Sequence, residues 1–448
     1  MNGDGAIDKN EKKCEVLMCG YFPGVTAHRS PLTSPETVRF PEAEVAGDSW
    51  KDVCAGGCGF GIAISTFGRL ITWGSADDQG QSYLTSGKHG ESPDIYPLPT
   101  TDLIVKAAAS WAHCISVTDK GEVYTWGWKE CVPSGKVTGS FSFPNDKVPN
   151  VEALKRRRVT SQQESETSIP ADETLSMPPC LVDLDSGVKI TSVAAGGRHT
   201  LALSDAGQVW GWGYGGEGQL GLGSRIKLVA SPHLIPCIEL SSNKRDRSGI
   251  CQESVAVEAK HRKSKGSYIK GIACGGRHSA VVTDAGVVLA FGWGLYGQCG
   301  QGNNDDLLRP SCVPSLMDTR IEAVAAGLWH TICICADGRV HAFGGNQFGQ
   351  LGLGTNSDQC EIVPRLVDAS VLKNKKAKVA SCGARHNAIL TEDGEIFCWG
   401  WNKYGQLGLG DTVDRNTPEQ IPLKDHAPKN IACGWWHTLL LCETNPSS

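Results

Sequence analysis

Six histidines stand in one recurring frame, a glycine, two variable residues and then the imidazole. The copies are "AAGGRHTLAL" with His199, "ACGGRHSAVV" with His278, "AAGLWHTICI" with His330, "SCGARHNAIL" with His386 and "ACGWWHTLLL" with His437, while "AASWAHCISV" puts serine in the glycine's place before His113. Imidazole is the commonest protein ligand for zinc and a ready proton carrier near neutral pH, so a histidine repeated in place could serve either chemistry. Both need a second group at short range. The histidines are separated by 86, 79, 52, 56 and 51 residues with no paired ligand nearby, a spacing that reads as one structural hydrogen bond per repeat. Cys54 with Cys58 and Cys333 with Cys335 make equally poor ligand pairs, and the second lies on one face of a strand, where it packs. No catalytic constellation emerges, so the chain is expected to be no enzyme and to use no metal and no cofactor.

Between the histidine frames runs a second pattern, an aromatic residue and a glycine closing an apolar run: Trp73-Gly74, Trp126-Gly127, Trp212-Gly213, Phe291-Gly292, Phe343-Gly344 and Trp399-Gly400. Several copies continue into G-Q-L-G-L-G. That string superficially resembles a phosphate-cradling loop, but a dinucleotide fingerprint needs a helix after its glycines and none follows. "CAGGCGFGIAIS" is a degenerate seventh histidine frame with Gly59 where the imidazole would fall, and Cys19-Gly20 holds the aromatic–glycine place near the start. The run after each histidine stays apolar for five or six residues and then meets a turn such as Asp205-Ala206-Gly207, Asp284-Ala285-Gly286, Asp337-Gly338 or Asp393-Gly394. Each is a hairpin signal, glycine supplying the positive φ that tight turns require.

Four short strands per unit, repeated seven times without helix-length amphipathic segments, predict an all-β fold: a seven-bladed β-propeller with ring closure by N- and C-terminal strands. The bookkeeping supports closure, because the N-terminal half-unit lacks a histidine frame before it and "CGWWHTLLLCE" lacks an aromatic–glycine segment after it. A solenoid would instead need capping repeats. In such a ring His113, His199, His278, His330, His386 and His437 are architectural, and Trp73, Trp126, Trp212 and Trp399 fill the space between blades.

The paired G-x-x-H-T and W-G-x-N-x-x-G-Q-L-G-L-G segments, fullest from Cys382 to Gly410, resemble the regulator of chromosome condensation family. The resemblance covers about residues 14 to 442 apart from two insertions, leaving a polar tail at 1–13 and a short tail at 443–448. It implies protein partners: histones or chromatin proteins, or a Ran-like GTPase whose nucleotide exchange the propeller would promote. It also admits a relative of the plant ultraviolet-B photoreceptor, which depends on tryptophans of G-W-R-H-T segments packed against arginines. Here only "CGWWHT" keeps glycine–tryptophan, through Trp435, with Trp436 in the arginine's place; Trp111 sits in "SWAH", and Arg198, Arg277 and Arg385 follow glycine or alanine. Tryptophan and arginine rarely share a blade.

The two long histidine gaps locate insertions at about 129–178 and 240–267. The first is polar and poor in aromatics, which predicts a flexible loop, and its Lys155-Arg156-Arg157-Arg158 run reads as a nuclear import signal or a partner contact. The second adds Lys260, Arg262, Lys263 and Lys265. Because the insertions leave neighbouring blades, they are expected on one side of the disc as a single basic patch. A formal charge of −5 gives no global pull toward phosphate, so sequence-specific nucleic-acid binding is not expected. Nineteen cysteines, an odd number scattered through apolar segments, read as reduced thiols inside the cell. With a polar start and no membrane-length apolar stretch, the expectation is a nuclear, non-catalytic regulator with a possible cytoplasmic pool and no membrane partner.

Overall fold

The computed structural model describes residues 14–21, 31–41, 47–54, 56–57, 59–74, 92–133, 176–237, 268–355, 358–423 and 425–444. They form seven four-stranded antiparallel sheets, the expected propeller. The innermost strands are Trp50–Cys54, Ile104–Ala109, Ile190–Ala195, Ile269–Cys274, Ile321–Ala326, Ala377–Cys382 and His426–Cys433, which number blades 1 to 7 in that order. Each touches the next, and that of blade 7 touches that of blade 1, so the ring is closed. Near the axis there is room only for small groups, and the central channel is walled mainly by alanine and glycine, as at Ala107–Ala109 and Ala194–Gly197. The second strands, His113–Thr118 and its counterparts, are buried along their whole length in most blades because both faces meet a neighbouring blade.

Closure occurs in blade 7, ordered from outside inward as Leu32–Val38, Cys14–Gly20, His437–Thr444 and His426–Cys433. The two ends of the chain pair in unbroken antiparallel register from Cys14 opposite Glu443 to Gly20 opposite His437. Seven apolar clusters form the core, one at each junction of two blades. Trp73, Trp126, Trp212, Phe291, Phe343 and Trp399 are fully buried in these clusters against the preceding blade. In the closing blade Cys19 occupies the same position. Its thiol lies 3.4 Å from the carbonyl of Gln406, as Trp399 Nε1 donates to that of Gln350 at 3.0 Å.

Outer strands carry Pro35, Pro178, Pro179, Pro232, Pro310, Pro364 and Pro418, which lack the N–H a foreign strand would need and so blunt the exposed edges. The G-Q-L-G-L-G turns bind the next blade. Gly223, Gly302, Gly354 and Gly410 donate their N–H groups to Leu308, Ile362, Asn416 and Thr33 of the neighbouring outer strand, at 2.8 to 2.9 Å.

The insertions depart differently from expectation. The first begins later and ends earlier than 129–178, because Lys129–Cys131 forms a 3-10 turn and Ser176–Leu181 is the outer strand of blade 2. It therefore joins a third to a fourth strand, whereas the second joins the fourth strand of blade 3, Ile226–Ile235, to the first of blade 4. Antiparallel strands alternate direction, so those two connections leave opposite faces of the disc. Cys131 lies 3.6 Å from the Arg198 carbonyl on one face, while the Ile269 N–H bonds to Gly207 O at 3.0 Å on the other. The anchor points of the two insertions thus lie on opposite faces, not on one side as expected.

Val16, Leu17, Met18 and Cys19 are at most 3% exposed. Burial of such side chains stabilises by about 1.5–3 kcal/mol each, together comparable to the whole stability of a domain, about 5–15 kcal/mol. A chain starting at residue 26 is expected to lose cooperative thermal unfolding; an unchanged melting temperature would overturn closure as the source of stability.

Candidate protein-binding face

The histidines open the second strands and reach across the blade junctions. His113 Nε2 lies 2.6 Å from Thr200 Oγ1, His199 Nε2 2.8 Å from Ser279 Oγ, His278 Nε2 2.8 Å from Thr331 Oγ1, His330 Nε2 2.6 Å from Asn387 Oδ1 and His386 Nε2 3.0 Å from Thr438 Oγ1. The partner is always the residue after the next blade's histidine. Ser279, Thr331 and Thr438 in turn donate to the carbonyls of Gln219, Gln298 and Gln406 at 2.7 to 2.9 Å, and Asn387 Nδ2 to that of Gln350 at 2.6 Å. With its own proton committed, each hydroxyl accepts, so the imidazole is the neutral tautomer protonated at Nε2. The frame's glycine is dictated by the same ring: a Cβ at Gly196, Gly275, Gly327 or Gly383 would sit 2.1 to 2.2 Å from the imidazole of its own histidine.

Blade 1 breaks the series in a way the sequence misplaced. Phe60, not Gly59, holds the imidazole's position, since a Cβ on Gly57 would strike its ring at 2.3 Å, and Gly61 pairs with Trp73 just as Thr200 pairs with Trp212. Phe60 and Cys114 share an apolar cluster where five other blades have a polar pair. His437 lies against Gly56 of that blade, whose Cβ would come within 2.9 Å of the imidazole.

Burial holds these imidazoles far below their usual range, to about 4 for His113 and His330 and about 3 for His199, His278, His386 and His437. Among the described residues no hydrogen-bond partner meets Nδ1 of the first five, so a second proton gains no bond there. Among the described residues no three histidine, cysteine, aspartate or glutamate side chains converge as a metal site. Cys333 and Cys335 are buried, the first fully among apolar side chains, and burial raises both thiols, Cys335 to about 11. Cys58, and all of Lys155, Arg156, Arg157, Arg158, Lys260, Arg262, Lys263 and Lys265, lie outside the described residues.

The surface with chemistry is the face from which the first insertion departs. Two positions per repeat meet there, the residue before the histidine and the residue after the aromatic–glycine pair, and a third adds Tyr296, Phe348 and Tyr404, each four residues beyond the glycine of that pair. The first two are brought together because that glycine stands opposite the histidine, as Gly213 opposite His199, with φ of +95° and no room for a Cβ against Arg198 O at 2.5 Å. The following N–H then bonds the carbonyl before the histidine: Tyr214 to Arg198 at 2.8 Å, Trp293 to Arg277 at 2.9 Å, Trp401 to Arg385 at 2.9 Å and Tyr21 to Trp436 at 3.0 Å. An almost continuous belt of half-buried rings results. Tyr404 packs on Trp401 and Trp436 at 5.4 and 5.8 Å, Phe348 on Trp401 at 5.8 Å, Tyr296 on Trp329 at 5.0 Å, and Trp111 on Trp128 at 5.9 Å.

Arginines are threaded through this belt. The Arg198 guanidinium lies 4.1 Å above Trp128 and 5.6 Å from Trp111, Arg277 lies 5.1 Å from Trp293, and Arg385 lies 4.7, 5.2 and 5.5 Å from Phe348, Trp329 and Trp401. Burial lowers the Arg385 pKa. Contrary to the sequence reading, arginine and tryptophan share blades 4 and 6, as Arg277 with Trp293 and Arg385 with Trp401, and they also meet between blades: Arg198 of blade 3 covers Trp128 of blade 2, and Arg385 of blade 6 covers Trp329 of blade 5. The sequence does contain a signal for these partners, an aromatic directly after the aromatic–glycine pair at Trp128, Tyr214, Trp293 and Trp401, with Tyr21 after Gly20. At the centre of the face a cavity of about 400 Å³ opens between Trp111, Arg198, Tyr214, Arg277, Trp293, Trp329 and Trp435.

Fold and face together define a closed seven-bladed propeller in which, among the described residues, six blades contribute to one decorated surface. The chain belongs to the RCC1-like family, whose RCC1-like domain model matches residues 158–446. It is 29% identical over 392 residues to the ultraviolet-B receptor UVR8 of Arabidopsis thaliana, covering 82% of this chain and 81% of that one. It is 26% identical over 424 residues to the human regulator of chromosome condensation, covering 92% and 86%. Prp20p of Saccharomyces cerevisiae shares the fold at a TM-score of 0.68 and 18% identity, covering 98% of this chain and 93% of that one.

The histidines set the acid response. Their folded pKa values lie below the unfolded value near 6.5, so stability is complete above that pH and falls as unfolded imidazoles take up protons that folded ones refuse. Each contributes a loss of up to about 1.4 kcal/mol per pH unit until its folded value is reached. The urea midpoint is expected to be constant from pH 8 to 7 and to drop steeply between pH 6.5 and 4.5; a flat profile across that window would contradict buried neutral histidines.

Proposed function

We propose that this protein is a non-catalytic regulator of the nucleus, a rigid scaffold that docks protein partners, chromatin proteins and histones among them, on its aromatic–arginine face. The observation that carries the reading is the belt of half-buried tryptophans on that face, together with its arginines. Tryptophan, tyrosine and arginine are the residues on which protein interfaces concentrate their binding energy. Membership of the RCC1-like family is consistent with it, and the solved structure of Prp20p is described together with that protein's binding to Gsp1p and histones. The Lys155–Arg158 run fits nuclear import. A Ran-like GTPase is the other partner in view, with nucleotide exchange as its readout.

Affinity capture from nuclei with the intact chain is expected to recover chromatin proteins, and Trp293→Ala with Trp401→Ala to reduce recovery at least tenfold. Equal recovery by both, or no chromatin protein at all, would retire the chromatin reading. Acceleration of nucleotide release from a Ran-like GTPase would move the function to exchange.

A second reading, ultraviolet-B sensing, draws on the stacking of Arg198 on Trp128 and of Arg385 beside Trp329 and Trp401, and on the likeness to UVR8. Under it, irradiation in the tryptophan absorption band changes the oligomeric state measured by size-exclusion chromatography. An irradiation-insensitive state would remove it.

A further inference from the structure

We propose that the mouth of the central channel on the aromatic face takes an acidic protein segment, a short run of aspartates or glutamates with an adjacent apolar or aromatic side chain. This rests on the reading that the face docks protein partners, and it names the chemistry of the partner.

The cations come first. Arg198 and Arg385 are held by rings, at 4.1 Å from Trp128 and 4.7 Å from Phe348, and neither has a carboxylate at ion-pair distance among the described residues. Arg277 has only Glu217, at 3.5 Å, and its side chain is 55% exposed. Guanidinium groups fixed over aromatic faces keep their in-plane N–H donors free for a carboxylate, at little further cost in side-chain entropy. Between Arg198 and Arg277 lies the cavity of about 400 Å³, within the range of about 300–1,000 Å³ usual for binding clefts and walled by tryptophan and tyrosine. Carboxylates meeting the arginines and an apolar side chain entering that cavity would satisfy both.

Charge also limits what can approach. Outside the arginines, the described residues in the loops of this face include Glu130, Glu217, Asp305, Asp306, Asp358, Asp411 and Asp414 against Lys129, Arg225, Lys403 and Arg415. Among the described residues a positive centre thus lies within a more acidic surround, which accepts a short acidic projection and disfavours an extended polyanion. Nucleic acid is further disfavoured because bases need open ring faces: Arg198 covers Trp128, and Tyr296 stacks on Trp329 at an interplanar angle of 28°. A basic histone tail would meet arginine, so a chromatin partner seated here must bring acidic side chains.

The test is panning of a phage-displayed random 12-residue peptide library on the full chain, with Arg198→Glu/Arg385→Glu as counter-target and Arg277→Glu as a milder, more exposed second variant. Both variants are first shown to keep the parental melting temperature within a few degrees; if the double variant unfolds, Arg277→Glu serves alone. Enriched peptides are expected to carry at least two acidic residues beside an aromatic or leucine, to bind at least tenfold more weakly to the variant, and to weaken as salt rises. No enrichment over the variant, enrichment without acidic excess, or tighter binding of a thymidine 12-mer than of the best peptide would overturn the inference. Failure here with chromatin proteins still captured by the intact chain would leave the docking reading standing. Acidic peptides bound with no chromatin protein captured would leave only the inference.

Discussion

A neutral imidazole bonded to the polar side chain of the next blade, and through it to a carbonyl of its own, is the contact on which this ring depends. It operates where no water competes, so an unmade bond would leave a buried donor and a buried carbonyl unsatisfied at about 1–3 kcal/mol each. The relay passes from His199 to Ser279 to Gln219 and from His386 to Thr438 to Gln406, each time crossing a blade junction and returning. Blade order and blade spacing are thereby set by hydrogen-bond geometry, while the apolar clusters between blades supply the bulk of the driving force. The final relay ends on Thr438 in the blade built from both ends of the chain, so the polar series and the strand closure reinforce each other.

The glycines follow from that contact. One makes room for the imidazole, another admits the carbonyl before the histidine, and the two together bring the G-x-x-H turn and the aromatic–glycine turn to the same edge of the blade. Side chains at those turns cannot enter the packed interior, so they spread over one face as a belt of aromatic rings and arginines. The opposite face is made of hairpins whose glycines bond the next blade, Gly207 O to Ile269 N and Gly338 O to Ala377 N at 3.0 Å, and is given over to joining blades. The division of labour between faces is a consequence of strand parity.

In the relay the histidines serve architecture, buried and held neutral with Nε2 against the polar side chain of the next blade. The interacting chemistry lies one residue away, on arginines and aromatic rings that the same turns expose. A rigid seven-fold frame with a variable belt suits a family whose relatives carry functions as different as light reception and chromosome condensation in their names.

The repeat, the seven blades and the closing of the ring were legible in the sequence because glycine, histidine and the core aromatics recur at places where backbone geometry and burial admit little else. Cys19 could be given the aromatic's place in the same way, from its glycine alone. The residues of the face were not, because Arg198 meets Trp128, and Arg385 meets Trp329, only when separate blades are set side by side. Phe60 was hidden for a related reason, a phenyl ring filling an imidazole's volume without its polarity and shifting the frame by one residue. The departure of the two insertions from opposite faces depends on which strand each one follows. Local sequence thus determined the strands, the turns and the closure, since these are satisfied within or between adjacent segments of one motif. The aromatic–arginine face was decided by tertiary structure where its contacts, such as Arg198 on Trp128, Tyr296 on Trp329 and Phe348 on Trp401, join residues of different repeats that only ring geometry brings within reach.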